Sequence, residues 1–308
     1  RSMGIVKFPL IINIIAVIIN TYLNWVLIFG HLGFEPMGVA GSAAATLIAR
    51  IIEFIIYMLY LFKYKNKPIF FKVKELFSWR VSMLKDKLGV SLPVVVNETI
   101  WSLGMTVIYV AYGLLGADAV AAVQVSQSIN GIFEALFFGI GNACPVMIGN
   151  EIGREKYELA KRYSKKFIFL ILCMGIILGI SLILLRKPIA GLFNVEESTM
   201  RMLTDILIVL AFAMPFSMSA YLFVIGILRS GGDTKFCMYM EIATIWGYVV
   251  PAAFITASLS LPVYVIVAFI NFEQILKLAV LIPRYKKNIW LKKRKKGVSP
   301  FYYYKHIN

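Results

Sequence analysis

A chain of 308 residues with 60% hydrophobic side chains and a formal charge of +16 is too apolar for a soluble domain, which is about 45–50% apolar. The charge does not point to nucleic acid, because the lysines and arginines sit at the ends of apolar runs and form no stripe on a water-facing surface. Cys144, Cys173 and Cys237 form no CxxC pair, no His/Asp/Glu cluster lies at a membrane face, and no GxxxxGKS/T loop is present; no disulfide framework, metal site, cofactor or nucleotide hydrolysis is therefore expected.

Eight stretches reach or approach the ~20 residues that a helix needs to cross a bilayer. They are residues 9–29, 38–62, 89–115, 119–148, 167–185, 200–227, 236–258 and 262–282. The expected fold class is all-α and integral to the membrane. Between spans, alternate segments carry 26 lysines and arginines against 2 in the others, Arg186 and Lys187. Basic loops stay on the cytoplasmic side, so both ends of this segment are expected in the cytoplasm of a multi-pass cell-membrane protein.

The chain opens on Arg1-Ser2-Met3-Gly4-Ile5-Val6-Lys7-Phe8 and echoes it at Arg229-Ser230-Gly231-Gly232-Asp233-Thr234-Lys235-Phe236, with five of eight positions identical. Six spans separate the copies. Six is even, so the two turns share a face and the units run in parallel. Twelve spans are then expected in a complete protein, with about four missing from the front. Residues 1–62 would be the last two helices of an N-terminal lobe. Residues 63–87 would link the lobes, 88–284 would form a six-helix C-terminal lobe, and 285–308 a basic tail. The mixture of aromatics and bases at 69–80 reads as a helix lying at the interface. The run Lys292-Lys293-Arg294-Lys295-Lys296 reads either as a contact with anionic membrane lipid or as a topology signal alone.

Small residues and breakers recur in the spans. Gly38 to Thr46 would let another backbone approach closely, and Gly175 with Gly179 is a GxxxG match. Pro145, Pro215 and Pro251 each remove a backbone hydrogen bond inside a span.

A carboxylate in hydrocarbon needs a reason. Glu98 is placed near the middle of the third span, beside Asn97, and shares a helix face with Trp101 and Met105 at i, i+3, i+7. A carboxylate against aromatic and thioether surface suits an organic cation. Glu134 has no cation at helical spacing and is a second candidate. Arg50 with Glu53, and Glu273 with Lys277, would neutralise each other locally, and Glu241 would reach water from about one turn inside its span. Asn13, Asn20 and Asn24 stripe the first span, either lining an aqueous cleft or joining helices by hydrogen bonds.

Several stretches together resemble one family. Asn20-Thr21-Tyr22-Leu23-Asn24-Trp25 followed by Gly38-Val39-Ala40-Gly41-Ser42-Ala43-Ala44-Ala45-Thr46 is similar to the fifth and sixth spans of the multidrug and toxic compound extrusion (MATE) transporters. Leu92-Pro93-Val94-Val95-Val96-Asn97-Glu98 resembles the start of their seventh span. Gly116-Ala117-Asp118-Ala119-Val120-Ala121-Ala122 and Leu228-Arg229-Ser230-Gly231-Gly232-Asp233 resemble their eighth-span entry and the turn after their tenth. The resemblance implies two six-helix lobes, no enzyme activity, and export of cationic or amphipathic small-molecule drugs by a protein that is monomeric when complete. Exchange would be for H+ or Na+, with Glu98 close to the coupling carboxylate and a possible Na+ site. Asn20 would supply a polar first-lobe position. Where some members carry a tenth-span carboxylate this chain has Met218. A lipid-linked oligosaccharide flippase of the same superfamily is the alternative; it would need cavity cations for pyrophosphate, whereas the deep cations Arg50 and Lys277 each have an acid nearby.

Overall fold

The computed structural model describes residues 7–63, 81–193 and 195–291, and all of their regular structure is helical. The first basic turn at 1–6, the stretch 69–80 read as an interfacial helix, and the basic run from Lys292 lie outside them. The chain divides into two compact units, Arg1–Leu84 and Lys85–Asn308.

In the first unit α1 (Lys7–Phe29) and α2 (Gly38–Lys63) form an antiparallel hairpin. Its turn is closed by the Met37 amide, which donates to the Leu27 carbonyl at 2.9 Å. The same carbonyl lies 2.6 Å from where a Cβ on Gly41 would stand, so the small-residue stretch at 38–46 does bring two backbones together. Ala45 is completely buried there.

The second unit holds all but the first four residues of α3 (Val81–Gly113), with α4 (Ala117–Gly153), α5 (Tyr157–Ala190) and α6 (Glu197–Tyr221), then α7 (Thr234–Thr244), α8 (Val250–Ser258) and α9 (Val263–Lys286). A π-helical stretch, Leu222–Leu228, prolongs α6, and another, Ile245–Val249, joins α7 to α8. With these continuations the described residues contain eight helices long and apolar enough to cross a membrane, the number expected. Several run longer than their apolar cores. The first turns of α5 are charged and expect water, yet they propagate as helix with Lys161 paired to Glu158 at 2.8 Å.

α6 is the core helix, packed against α4, α5 and α9. Leu203, Ile206, Leu207 and Met214 face inward along it. Its approach to α5 is set by the GxxxG pair. A Cβ on Gly175 would stand 2.6 Å from the Pro215 Cα, and one on Gly179 would stand 2.5 Å from the Ala211 carbonyl oxygen. Gly179→Leu is therefore expected to cost about 3 kcal/mol through overpacking, read as a lowered detergent melting temperature. Gly131→Leu, where nothing stands within 4 Å, is the neutral control.

Of the three prolines, Pro145 and Pro215 lie within continuous α-helix, and Pro251 stands two residues past the end of a π stretch. There the Val250 amide reaches back five residues to Ile245, the spacing of a π-helix. Gly104 of α3 leaves room for the Ile245 side chain at this point, and the Trp246 indole donates to the Ile100 carbonyl at 3.4 Å.

The motif Arg229–Phe236 acquires a reason at five of its eight positions. Gly232 takes φ +91, and a Cβ on Gly231 would run into the backbone of the buried Trp290. Asp233 pairs with Arg284, whose guanidinium lies 3.8 Å over the Phe236 ring. Arg229 leaves the turn and enters the site described next.

Candidate functional site

A cavity of about 370 Å³ lies within the second unit. Its apolar wall is aromatic. Tyr221 meets Phe137 and Phe138 edge to face, with ring centroids 5.2 and 5.5 Å apart, and Trp101 contributes from α3. Such rings bind the charge of an organic cation as well as its apolar body.

The charged groups fall into three sets. Glu98 accepts from the Arg229 guanidinium at 2.8 Å. Lys277 lies 2.8 Å from both Glu241 and Glu273, joining α7 to α9, and all three side chains are buried. Glu134 accepts from the Asn130 amide at 2.9 Å, and no lysine or arginine among the described residues stands within ion-pair distance of it. Asn97 also lines the cavity, is only 4% exposed, and its carbonyl oxygen Oδ1 is buried without a hydrogen-bond partner. Four carboxylates (Glu98, Glu134, Glu241, Glu273) thus stand against two cations (Arg229, Lys277). Fully ionised, the cluster carries an excess of negative charge and attracts a positive guest.

The structure gathers some of the residues singled out from the sequence and separates others. Asn97, Glu98, Trp101 and Glu134 converge on one cavity. Met105 is not among its lining residues; it packs against the hydrophobic core instead. At i+7 it shares a face with Glu98 but stands about 10 Å farther along the helix. Glu98 is shallower than expected: it is seven residues into the apolar part of α3, Ser91–Gly113, and within reach of the turn arginine. Glu241 does not reach water; it is buried beneath Lys277. The Glu273–Lys277 pair forms as spaced. Arg229 was missed altogether, because its partner is 131 residues away in sequence.

The first unit has its own cavity of about 340 Å³, lined by Asn13, Asn20, Thr46 and Arg50 together with Ala16, Val17 and Ala49. Asn20 fills both roles considered for it. It lines this cavity and donates to Thr46 of α2 at 3.3 Å, while Asn24 donates to Asn20 at 3.1 Å. Arg50 pairs with Glu53 at 2.6 Å, as its spacing predicts.

A family model, MatE, matches residues 93–255, just over half of the chain. Among curated proteins the chain is 27% identical over 258 residues to the uncharacterized transporter YisQ of Bacillus subtilis, covering 83% of this chain and 55% of YisQ. It is 26% identical over 265 residues to a probable multidrug resistance protein, NorM, of Halalkalibacterium halodurans, covering 84% of this chain and 56% of NorM. The chain thus spans about half the length of the curated relatives it matches. Among solved structures it resembles the Vibrio cholerae MATE transporter VcmN, with a TM-score of 0.80 at 15% identity over 95% of this chain and 64% of that one. It also resembles a MOP superfamily transporter from Pyrococcus furiosus, with a TM-score of 0.74 at 20% identity over 92% of this chain and 63% of that one. At these identities the structures establish the fold.

Proposed function

We infer function from one premise: this chain belongs to the MatE family. It is a multi-pass membrane protein with eight apolar spans among its described residues. We propose that it is part of a multidrug-efflux transporter that exports organic cations in exchange for H+ or Na+, with both ends of this segment in the cytoplasm. Relatives named as probable multidrug resistance proteins support the substrate class.

The observation that carries the reading is Glu134. It is a carboxylate in a cavity lined by Phe137, Phe138 and Tyr221, with no cationic partner among the described residues, and the cavity's other acids are already paired. A drug cation, a proton or a sodium ion would each neutralise it, and no two of them at once. That exclusion is what exchange requires: the ion that enters lowers the affinity for the drug and promotes its release. Rocking of one lobe against the other would present the site to each face in turn.

The flippase alternative gains one observation, Arg229 in the cavity, and loses it to Glu98, which occupies that guanidinium. A pyrophosphate would have to displace a carboxylate and then face Glu134.

Ethidium movement in proteoliposomes of the full-length gene product, with proton and sodium gradients imposed separately, tests the proposal. Gradient-driven ethidium efflux under one of the two is the expected result. Ethidium fluxes that ignore both gradients would overturn it.

A further inference from the structure

The cavity contains a polar group for which the exchange of charges has no use. Asn97 is 4% exposed, lines the cavity, and its Oδ1 is buried with no hydrogen-bond partner. More than nine in ten buried polar groups are satisfied, and an orphan carbonyl forfeits its bonds to water without replacement. Its neighbours do not supply a donor. The Arg229 guanidinium in the same cavity is bonded to Glu98, and the Lys277 ammonium to Glu241 and Glu273. The Gln274 amide donates to Glu273. The cations that line the cavity are therefore already engaged, while the amide of Asn97 and the carboxylate of Glu134 are acceptors without a cationic partner among the described residues.

We propose that Asn97 selects among organic cations for those that carry N–H bonds, so that protonated amines and guanidinium compounds bind in preference to quaternary ammonium ions. This rests on the export reading above and deepens it. Charge and aromatic surface act on both kinds of cation alike, because Glu134 and the rings of Phe137, Phe138 and Tyr221 respond to charge and shape. An acceptor responds only to a donor. A trimethylammonium head presents carbon-bound hydrogens and leaves Asn97 as it was, whereas a primary ammonium offers three N–H donors that can be shared between Asn97 and Glu134. A site built around a polar group rejects the analogue that cannot bond to it far more strongly than a greasy pocket rejects an extra methyl.

The test uses a matched pair, dansylcadaverine and its N,N,N-trimethyl derivative. Both are cationic at neutral pH and differ only at the head group. Binding to the purified full chain in detergent is followed by dansyl fluorescence. The wild type is expected to prefer the primary ammonium by about tenfold, the worth of one charge-assisted hydrogen bond in a dry site. Asn97→Leu removes an unpartnered polar group and keeps the volume. It should fold with a melting temperature no lower than the wild type's, retain the trimethyl compound and lose the preference. Asn97→Ala, with its smaller side chain, should lose the preference in the same way. Equal affinities in the wild type, or a preference that survives both substitutions, would overturn the assignment of Asn97 while leaving cation export standing. Failure of both compounds to bind the wild type would instead sink the export reading and this inference with it.

Discussion

Glu134→Gln is expected to lower the affinity for tetraphenylphosphonium about 100-fold, in line with the 2–5 kcal/mol typical of losing one partner of a desolvated charge interaction. This cation has no N–H, so Asn97 does not enter the result. Glutamine keeps the shape and the bond from Asn130, and removes only the charge that no cation among the described residues offsets. Glu98→Gln should also weaken binding, by about tenfold, for a different reason. It releases the Arg229 guanidinium into the cavity, where an unpaired positive charge repels the guest. The two mechanisms separate in the double variants. Arg229→Gln should restore binding to the Glu98→Gln protein in full, whereas in the Glu134→Gln protein it frees the Glu98 carboxylate and should recover binding only in part. Isothermal titration on the four variants decides it, and rescue of neither would show that Glu98 and Arg229 do not act as a charge pair.

The second large effect is on stability. Lys277→Met should lower the detergent melting temperature on the order of 10 °C, from a cost of about 3–5 kcal/mol for breaking a buried ion pair. The lysine bridges Glu241 and Glu273, and all three are buried between α7 and α9. Without it two carboxylates face each other with no cation, a penalty that neither helix can relieve by reaching water. The triple change of Lys277→Met with Glu241→Gln and Glu273→Gln should recover most of the loss, because it removes the charges together with their bridge. If the single variant melts like the wild type, the triad carries no structural weight.

Much of this architecture was legible in the sequence because a bilayer imposes a simple rule, about 20 apolar residues per crossing. Span number survived intact; span ends did not. Hydropathy marks where the oil stops, whereas helices such as α5 continue through charged turns that pair with themselves, as Glu158 and Lys161 do. Pairs along one helix were equally readable: Arg50 with Glu53, Glu273 with Lys277. Contacts between helices were not. Glu241 looked like a residue near water because its partner sits 36 positions away, and Arg229 looked like a topology signal because Glu98 is more distant still. Met105 failed for another reason. Helical spacing fixes the face a side chain takes and says nothing of where along the axis the cavity ends. The π stretches at Leu222–Leu228 and Ile245–Val249 gave no advance sign beyond Pro251 itself.

The glycine contacts between α5 and α6 bear on how such a cavity can change shape. With Gly175 resting on Pro215 and Gly179 on Ala211, no side chain separates the two backbones over that turn. They have to travel as one lever. α5 lends no residue to the cavity, while α6 carries Met218 and Tyr221 into it. A displacement of α5, whose outer surface exposes Phe169, Ile177 and Leu184, would therefore be expected to move the aromatic wall with it.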